Sequence, residues 1–360
     1  MSSDVTDETV PASSVGASSR YVDWVFAKTT GARLSPPGPK LTRGEVAAVV
    51  ADLRAAAAYA REPVATTAQL SSPDDRPALV VDRATWVAAN VETFAAVMDP
   101  VVATMDRGSG PAPLRAVGAK VSAAEAGGLL AFLSSKVLGQ YDLAPYGTPR
   151  LMLVAPNIVE AERELDVDPT DFRRWVAMHE ETHRVQFTAV PWLRRHLLDL
   201  MAELTGSIAP SPEELTERLG QASKNLRQAL TSGGTGLAGI FLSAEDRAKV
   251  AAATAVMSLL EGHADVVMDE VGPQVIPSVG VIRDRFTARR AGRGSLDKML
   301  RRLLGLEAKM AQYVEGATFV RSVTSVVGVD GFNAVWTSPE TLPTPDEIAA
   351  PGAWVGRVHG

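Results

Sequence analysis

The sequence predicts a mainly helical α+β fold, and three observations predict it. Pro- and Gly-rich breaks divide the chain into Ala-, Leu- and Val-rich segments long enough to be helices. Three of these segments open with capping-box spacing: Thr42 with Glu45, Ser122 with Glu125, and Ser211 with Glu214. Strand signals are few, and the best is Arg150 to Ala155, a short apolar run stopped by Pro156-Asn157. With 360 residues, 46% hydrophobic and 22% charged, the chain can bury a sizeable core in one large domain or two ordinary ones.

Residues 1–20 are rich in Ser, Thr and Asp without an apolar pattern, and are expected to be a disordered tail. Tyr21, Trp24 and Phe26 mark the first packed helix, which Ser35-Pro-Pro-Gly-Pro39 breaks. An Ala-rich helix follows over 41–61, then a polar loop over 66–75. Residues 78–82 suit a short strand leading into a helix over 83–98. A Gly/Pro loop over 106–113 precedes a helix over 122–137. The turn-rich connector 141–149 divides a helical N-terminal region, 21–145, from a second region, 146–360.

After the strand, Thr170 or Asp171 caps a helix that Pro191 ends or kinks. Helices are expected to about residue 205 and again over 211–230. The Gly-rich loop 232–239 has no Gly-Lys-Ser/Thr and so is no phosphate loop. A long helix spans 243–268 and breaks at 272–277. A basic stretch (Arg283, Arg285, Arg289, Arg290, Arg293) and an amphipathic helix over 296–319 follow. The remainder, with Pro339, Pro343, Pro345 and Pro351, is expected to be irregular and to wrap the surface.

The chemistry concentrates in His179-Glu180-Glu-Thr-His183. Residues four apart share a helix face, so both imidazoles can reach one zinc ion. Glu180, one step round, can lean over the water beside that ion as general base. Phe172, Val176, Gln186 and Phe187 make the same face buried, where two histidines need partners. Only five His occur in the chain, so their meeting at this spacing is a specific signal. Cys is absent, which excludes disulfides and thiolate metal sites and leaves His, Asp and Glu as ligands. In the long helix, Glu261 lies on the apolar stripe of Val250, Thr254, Met257, Ala264 and Met268, where a carboxylate needs a cation. Candidates for the third ligand are Glu261 and His263. His263, Tyr313 and the arginines of 283–293 are candidate donors to a substrate oxyanion, and the 150–155 strand is a candidate edge for a bound peptide.

A net charge of −6 argues against a dedicated nucleic-acid or anionic-membrane surface. Residues 1–19 have no basic n-region or apolar core, and no apolar run reaches the roughly 20 residues of a membrane span. A soluble cytoplasmic protein is the expectation.

Glu261-Gly-His-Ala-Asp265 resembles the thermolysin-like zinc peptidases, which implies Glu261 as third ligand and Asp265 as the group orienting a ligand imidazole. More widely, the chain after residue 21 resembles the actinobacterial zincin-like metallopeptidase type 2 family, whose members are labelled hydrolases or associated with deazaflavin-coenzyme biosynthesis. The carriers include Val22-Asp-Trp24, Val137-Leu-Gly-Gln-Tyr141, Leu153-Val-Ala-Pro-Asn157, the segment from Trp175 to Phe187, Leu260 to Asp265, and Asp330 to Trp336. The resemblance implies a zincin-like, mostly helical domain and a zinc-dependent hydrolase acting on a peptide or other small amide. A scaffold that binds a peptide or partner without turnover is the alternative, as is a non-peptide hydrolase linked to deazaflavin-coenzyme metabolism.

Overall fold

Strand β3 (Arg150–Val154) separates two hydrophobic cores. Successive side chains of a strand point to opposite faces. Leu151 and Leu153 enter one core, while Met152 and Val154 enter the other. A strand covered on both faces has no polar positions, which explains the uninterrupted apolar run. The computed structural model describes residues 22–104, 112–145, 147–208, 244–292 and 306–360. The expected N-terminal tail, the helix at 211–230 and the loop at 232–239 lie outside the described residues.

Two strands flank β3 in the order β1-β3-β2. β1 (Leu79–Val81) pairs with it in parallel, at the place where a short strand is expected. β2 (Gly139–Asp142) pairs antiparallel, and it lies partly in the segment read above as a turn-rich connector. Gly and Asp are poor strand formers, so pairing to β3 decides what propensity does not. One expectation is overturned here. β3 is the central strand, so residues 150–155 present no free edge to a peptide; the edges belong to β1 and β2.

The first core lies between the sheet and helices α2 (Arg43–Ala68), α5 (Ala155–Leu165) and α6 (Pro169–Ala189). α2 opens with the expected capping box, Thr42 accepting from the Glu45 backbone and the Glu45 carboxylate accepting from the Thr42 N–H. The second core packs α1 (Trp24–Leu34), α3 (Arg83–Thr104) and α4 (Ala112–Ser134) on the other face of β3. Ser122 does not begin α4 but lies inside it. Pro113 occupies the first turn, where a missing N–H costs nothing, and the Ala- and Val-rich sequence after it carries the helix through Ser122.

A third core joins α7 (Pro191–Ile208), α8 (Ala244–Val275), α10 (Leu306–Phe332) and the C-terminal segment; α9 (Val279–Gly292) packs on α5 and α6. α8 runs through Gly272-Pro273, past its expected end. α8 and α10 touch backbone to backbone. A Cβ at Gly316 would stand 1.9 Å from the Ser258 carbonyl oxygen, and one at Gly262 would stand 2.2 Å from the Gly316 carbonyl carbon. That crossing places Glu261 and His263, the neighbours of Gly262.

The C-terminal segment is not irregular as expected. It folds into two 3-10 turns (Asn333–Trp336, Pro339–Thr341) and helices α11 (Pro345–Ala349) and α12 (Pro351–His359). Pro339, Pro345 and Pro351 sit in first turns, where proline starts a helix instead of breaking it. Trp354 is fully buried against Phe319. α4 and α8 are each long and apolar enough to cross a membrane by length and composition; α8 instead packs against α6 and α10.

Candidate metal centre

The helix that carries the motif is pinned at three points. Its cap is Asp168, whose carboxylate accepts from the Asp171 N–H, with Pro169 in the first turn. This lies upstream of the expected Thr170 or Asp171, because Pro169 suits the first helical position and leaves Asp168 to cap it. Asp171 instead accepts from the Ser278 N–H and hydroxyl, tying α6 to the turn after α8. Arg173 donates to Glu162 on α5 and to Asp52 on α2.

On this helix His179 and His183 bring their Nε2 atoms to 3.2 Å from one another. Glu261 Oε2, arriving from α8, lies 3.6 Å from His179 Nε2 and 3.8 Å from His183 Nε2. Zinc bonds of about 2.0–2.1 Å in tetrahedral geometry place ligand atoms about 3.3 Å apart. Two imidazole nitrogens and a carboxylate oxygen at these spacings therefore fit one zinc ion, with little adjustment. His179 and Glu261 remain about a quarter exposed, so the site opens to solvent rather than being sealed as a structural metal site is. Burial works against a charged His179, but the hydrogen bond and charge of Glu261 outweigh it, with Glu180 and Asp265 adding, and raise its pKa to about 9. Burial lowers that of His183, with Glu261 opposing and His179 adding. Glu261 thus favours a charged imidazole at His179, where a divalent cation would compete with the proton.

Glu180 is buried beside this trio. Burial pushes its pKa up to about 7, Glu261 adding to the shift and His179 opposing it. A carboxyl that titrates near neutrality suits a general base. The residue that makes room for it escapes a reading of the motif alone. A Cβ at Gly139 would stand 2.5 Å from Glu180 Cγ and 2.7 Å from Oε1, so β2 passes Glu180 closely only because position 139 is glycine. Tyr141, stacked on Phe187 at 5.6 Å, holds that strand to α6. Gly139→Ala is expected to push the Glu180 carboxylate aside. Such a misplacement lowers kcat/KM by about a hundredfold, with zinc binding retained. Steady-state kinetics alongside a zinc titration check this, and unchanged kinetics would show that Glu180 needs no such clearance.

The remaining candidates fall into different places. Asp265 is half-buried one turn from Glu261, and its charge raises the proton affinity of both histidines. The ring nitrogen of His183 away from Glu261 is met by Gln186, with His183 Nδ1 3.0 Å from Gln186 Oε1. His263 is 3% exposed and points at Gln186, not into the cleft. Burial holds its pKa down at about 3, so it stays neutral. Arg283 pairs with Asp269, Arg285 with Asp166 and Arg289 with Glu164, so these three fasten α9 to α8 and α5. Arg293 and the side chains of Arg290 and Tyr313 lie outside the described residues.

The trio and Glu180 form the floor of a cleft of about 790 Å³. Its apolar lining comes from Phe94 and Val97 of α3, Leu200, Met201 and Leu204 of α7, and Met257 of α8. Strand β2 borders it from Gly139 to Asp142. A second cavity, about 410 Å³, lies under the Pro36–Pro39 loop and contains none of these groups.

A family profile described as zincin-like metallopeptidase matches residues 22–355. A crystal structure from Chloroflexus aurantiacus, described as "a putative hydrolase with a novel fold", superposes with a TM-score of 0.67 at 29% sequence identity, covering 94% of this chain and 99% of that one. No curated protein sequence matches the chain.

Proposed function

The chain belongs to the zincin-like metallopeptidase family, and from that premise we propose that it is a zinc-dependent hydrolase cleaving amide bonds in extended, apolar peptides. The observation that carries this reading is the convergence of His179, His183 and Glu261 beside a buried carboxyl, on the floor of an apolar cleft. His179 Nε2, His183 Nε2 and Glu261 Oε2 would hold the ion. Bound zinc supplies Lewis acidity and brings the pKa of a water down to about 7.

The chain's own residues supply the rest. Glu180 takes a proton from the attacking water, whose oxygen adds to the amide carbon; the proton then goes to the departing nitrogen as the C–N bond breaks. Strand β2 offers the substrate a backbone. The Val154 N–H donates to the Leu138 carbonyl, so Gly139 and Tyr141, opposite Leu153 and Leu151, occupy the non-hydrogen-bonded pairs. Their N–H and C=O groups point away from β3, where an extended peptide can add as a further strand. The walls of α3 and α7 then receive apolar side chains rather than charged ones.

Incubation with a peptide library, read by mass spectrometry, tests this. Cleavage between apolar residues is expected, abolished by chelator and restored by zinc. Product formation that chelation leaves untouched would refute the metal-dependent reading.

A further inference from the structure

We infer that Gln186 is a positioning residue that sets His183 in the tautomer whose Nε2 lone pair faces His179 and Glu261, and that His263 and the Leu260 carbonyl set Gln186. The inference rests on the proposed metal site for its consequence, although the tautomer itself exists without metal.

An amide group presents one acceptor and two donor hydrogens, and its orientation is fixed by whichever neighbour has a single role. For Gln186 that neighbour is the Leu260 carbonyl oxygen, which can only accept and lies 2.9 Å from Gln186 Nε2. Turning the amide over would set two oxygens against each other inside the protein, since Gln186 is fully buried. The second N–H points at His263 Nδ1, 3.0 Å away, which must therefore be the unprotonated nitrogen of that ring. Gln186 Oε1 is left to accept, and the group 3.0 Å from it is His183 Nδ1. His183 Nδ1 thus carries the proton, and its Nε2 is the bare nitrogen directed at the other two ligands.

His263 is held for this task. Its ring stacks on Phe332 at 5.4 Å and meets the edge of Trp336 at 5.5 Å, an aromatic cage contributed by the C-terminal part of the chain. The geometry connects α6, through one amide and one imidazole, to the same helix that delivers Glu261. His263 and Glu261, which compete as ligands on sequence grounds, are therefore cooperating: one ligates, and the other orients the support of a second ligand.

Long-range nitrogen–proton NMR on the metal-free, full-length protein tests the inference, with His183 assigned by its substitution. The expected result is a protonated Nδ1 and a bare Nε2 for His183 in the wild type, and loss of that preference in Gln186→Leu. A wild-type His183 protonated on Nε2, or a Gln186→Leu protein with the tautomer unchanged, would overturn it. Zinc affinity by chelator competition gives the second readout. Gln186→Leu is expected to bind about 10- to 100-fold more weakly, and equal affinity would also overturn the inference. If the wild type binds no zinc, the metal reading fails while the tautomer measurement still decides the role of Gln186. If Gln186→Leu does not fold, the wild-type spectrum remains decisive.

Discussion

Glu180→Gln is expected to reduce hydrolysis by about 10²- to 10⁴-fold, the range that removal of a general base costs, while zinc binding stays within a few-fold of wild type. The substitution keeps the side chain's size, so the clearance beside Gly139 and the position of α6 are preserved. It removes only the ability to hold a proton at that carboxyl. Glu180 lies beside the three candidate ligands and against Gly139 of β2 but is not itself one of the three, which is why the two functions should separate. Parallel measurement of turnover and zinc stoichiometry checks the prediction. Equal turnover by wild type and variant would remove Glu180 from the mechanism.

Gly316→Ala is expected to destabilise the fold by about 3 kcal/mol or more, at the upper end of what overpacking costs. The new methyl carbon would stand 1.9 Å from a backbone oxygen of α8, which no side-chain rotation can relieve. α8 and α10 must separate, and with them Glu261 moves away from the two histidines. Urea unfolding monitored by circular dichroism, combined with a zinc titration of the folded fraction, should show both effects. A loss of less than about 0.5 kcal/mol, the usual range for a neutral surface change, would mean that the helices do not cross at this glycine.

How much of this is legible in the sequence differs from element to element. The two histidines and Glu180 announce themselves, because a helix repeats its faces every few residues and the spacing alone brings the rings together. Glu261 is legible as a carboxylate on an apolar stripe, a placement that only a cation or a hydrogen-bonding partner makes tolerable. Gln186 lies on the same buried face, yet its task depends on Leu260 and His263, seventy-odd residues away. Strand β2 is similarly hidden, since Gly139 and Asp142 look like turn residues until β3 is beside them. Gly139 is the sharpest case: it is glycine because of what passes it, and nothing local says so. The C-terminal prolines mislead in the opposite direction, since proline reads equally as the end of one helix and the first turn of the next.

Zinc titration of the metal-stripped protein, followed by calorimetry, tests the central claim most directly. One equivalent should bind to the wild type, and His183→Ala and Glu261→Ala should each lose tight binding. Absence of saturable binding to the wild type, or undiminished binding to both variants, would contradict a metal site built from His179, His183 and Glu261.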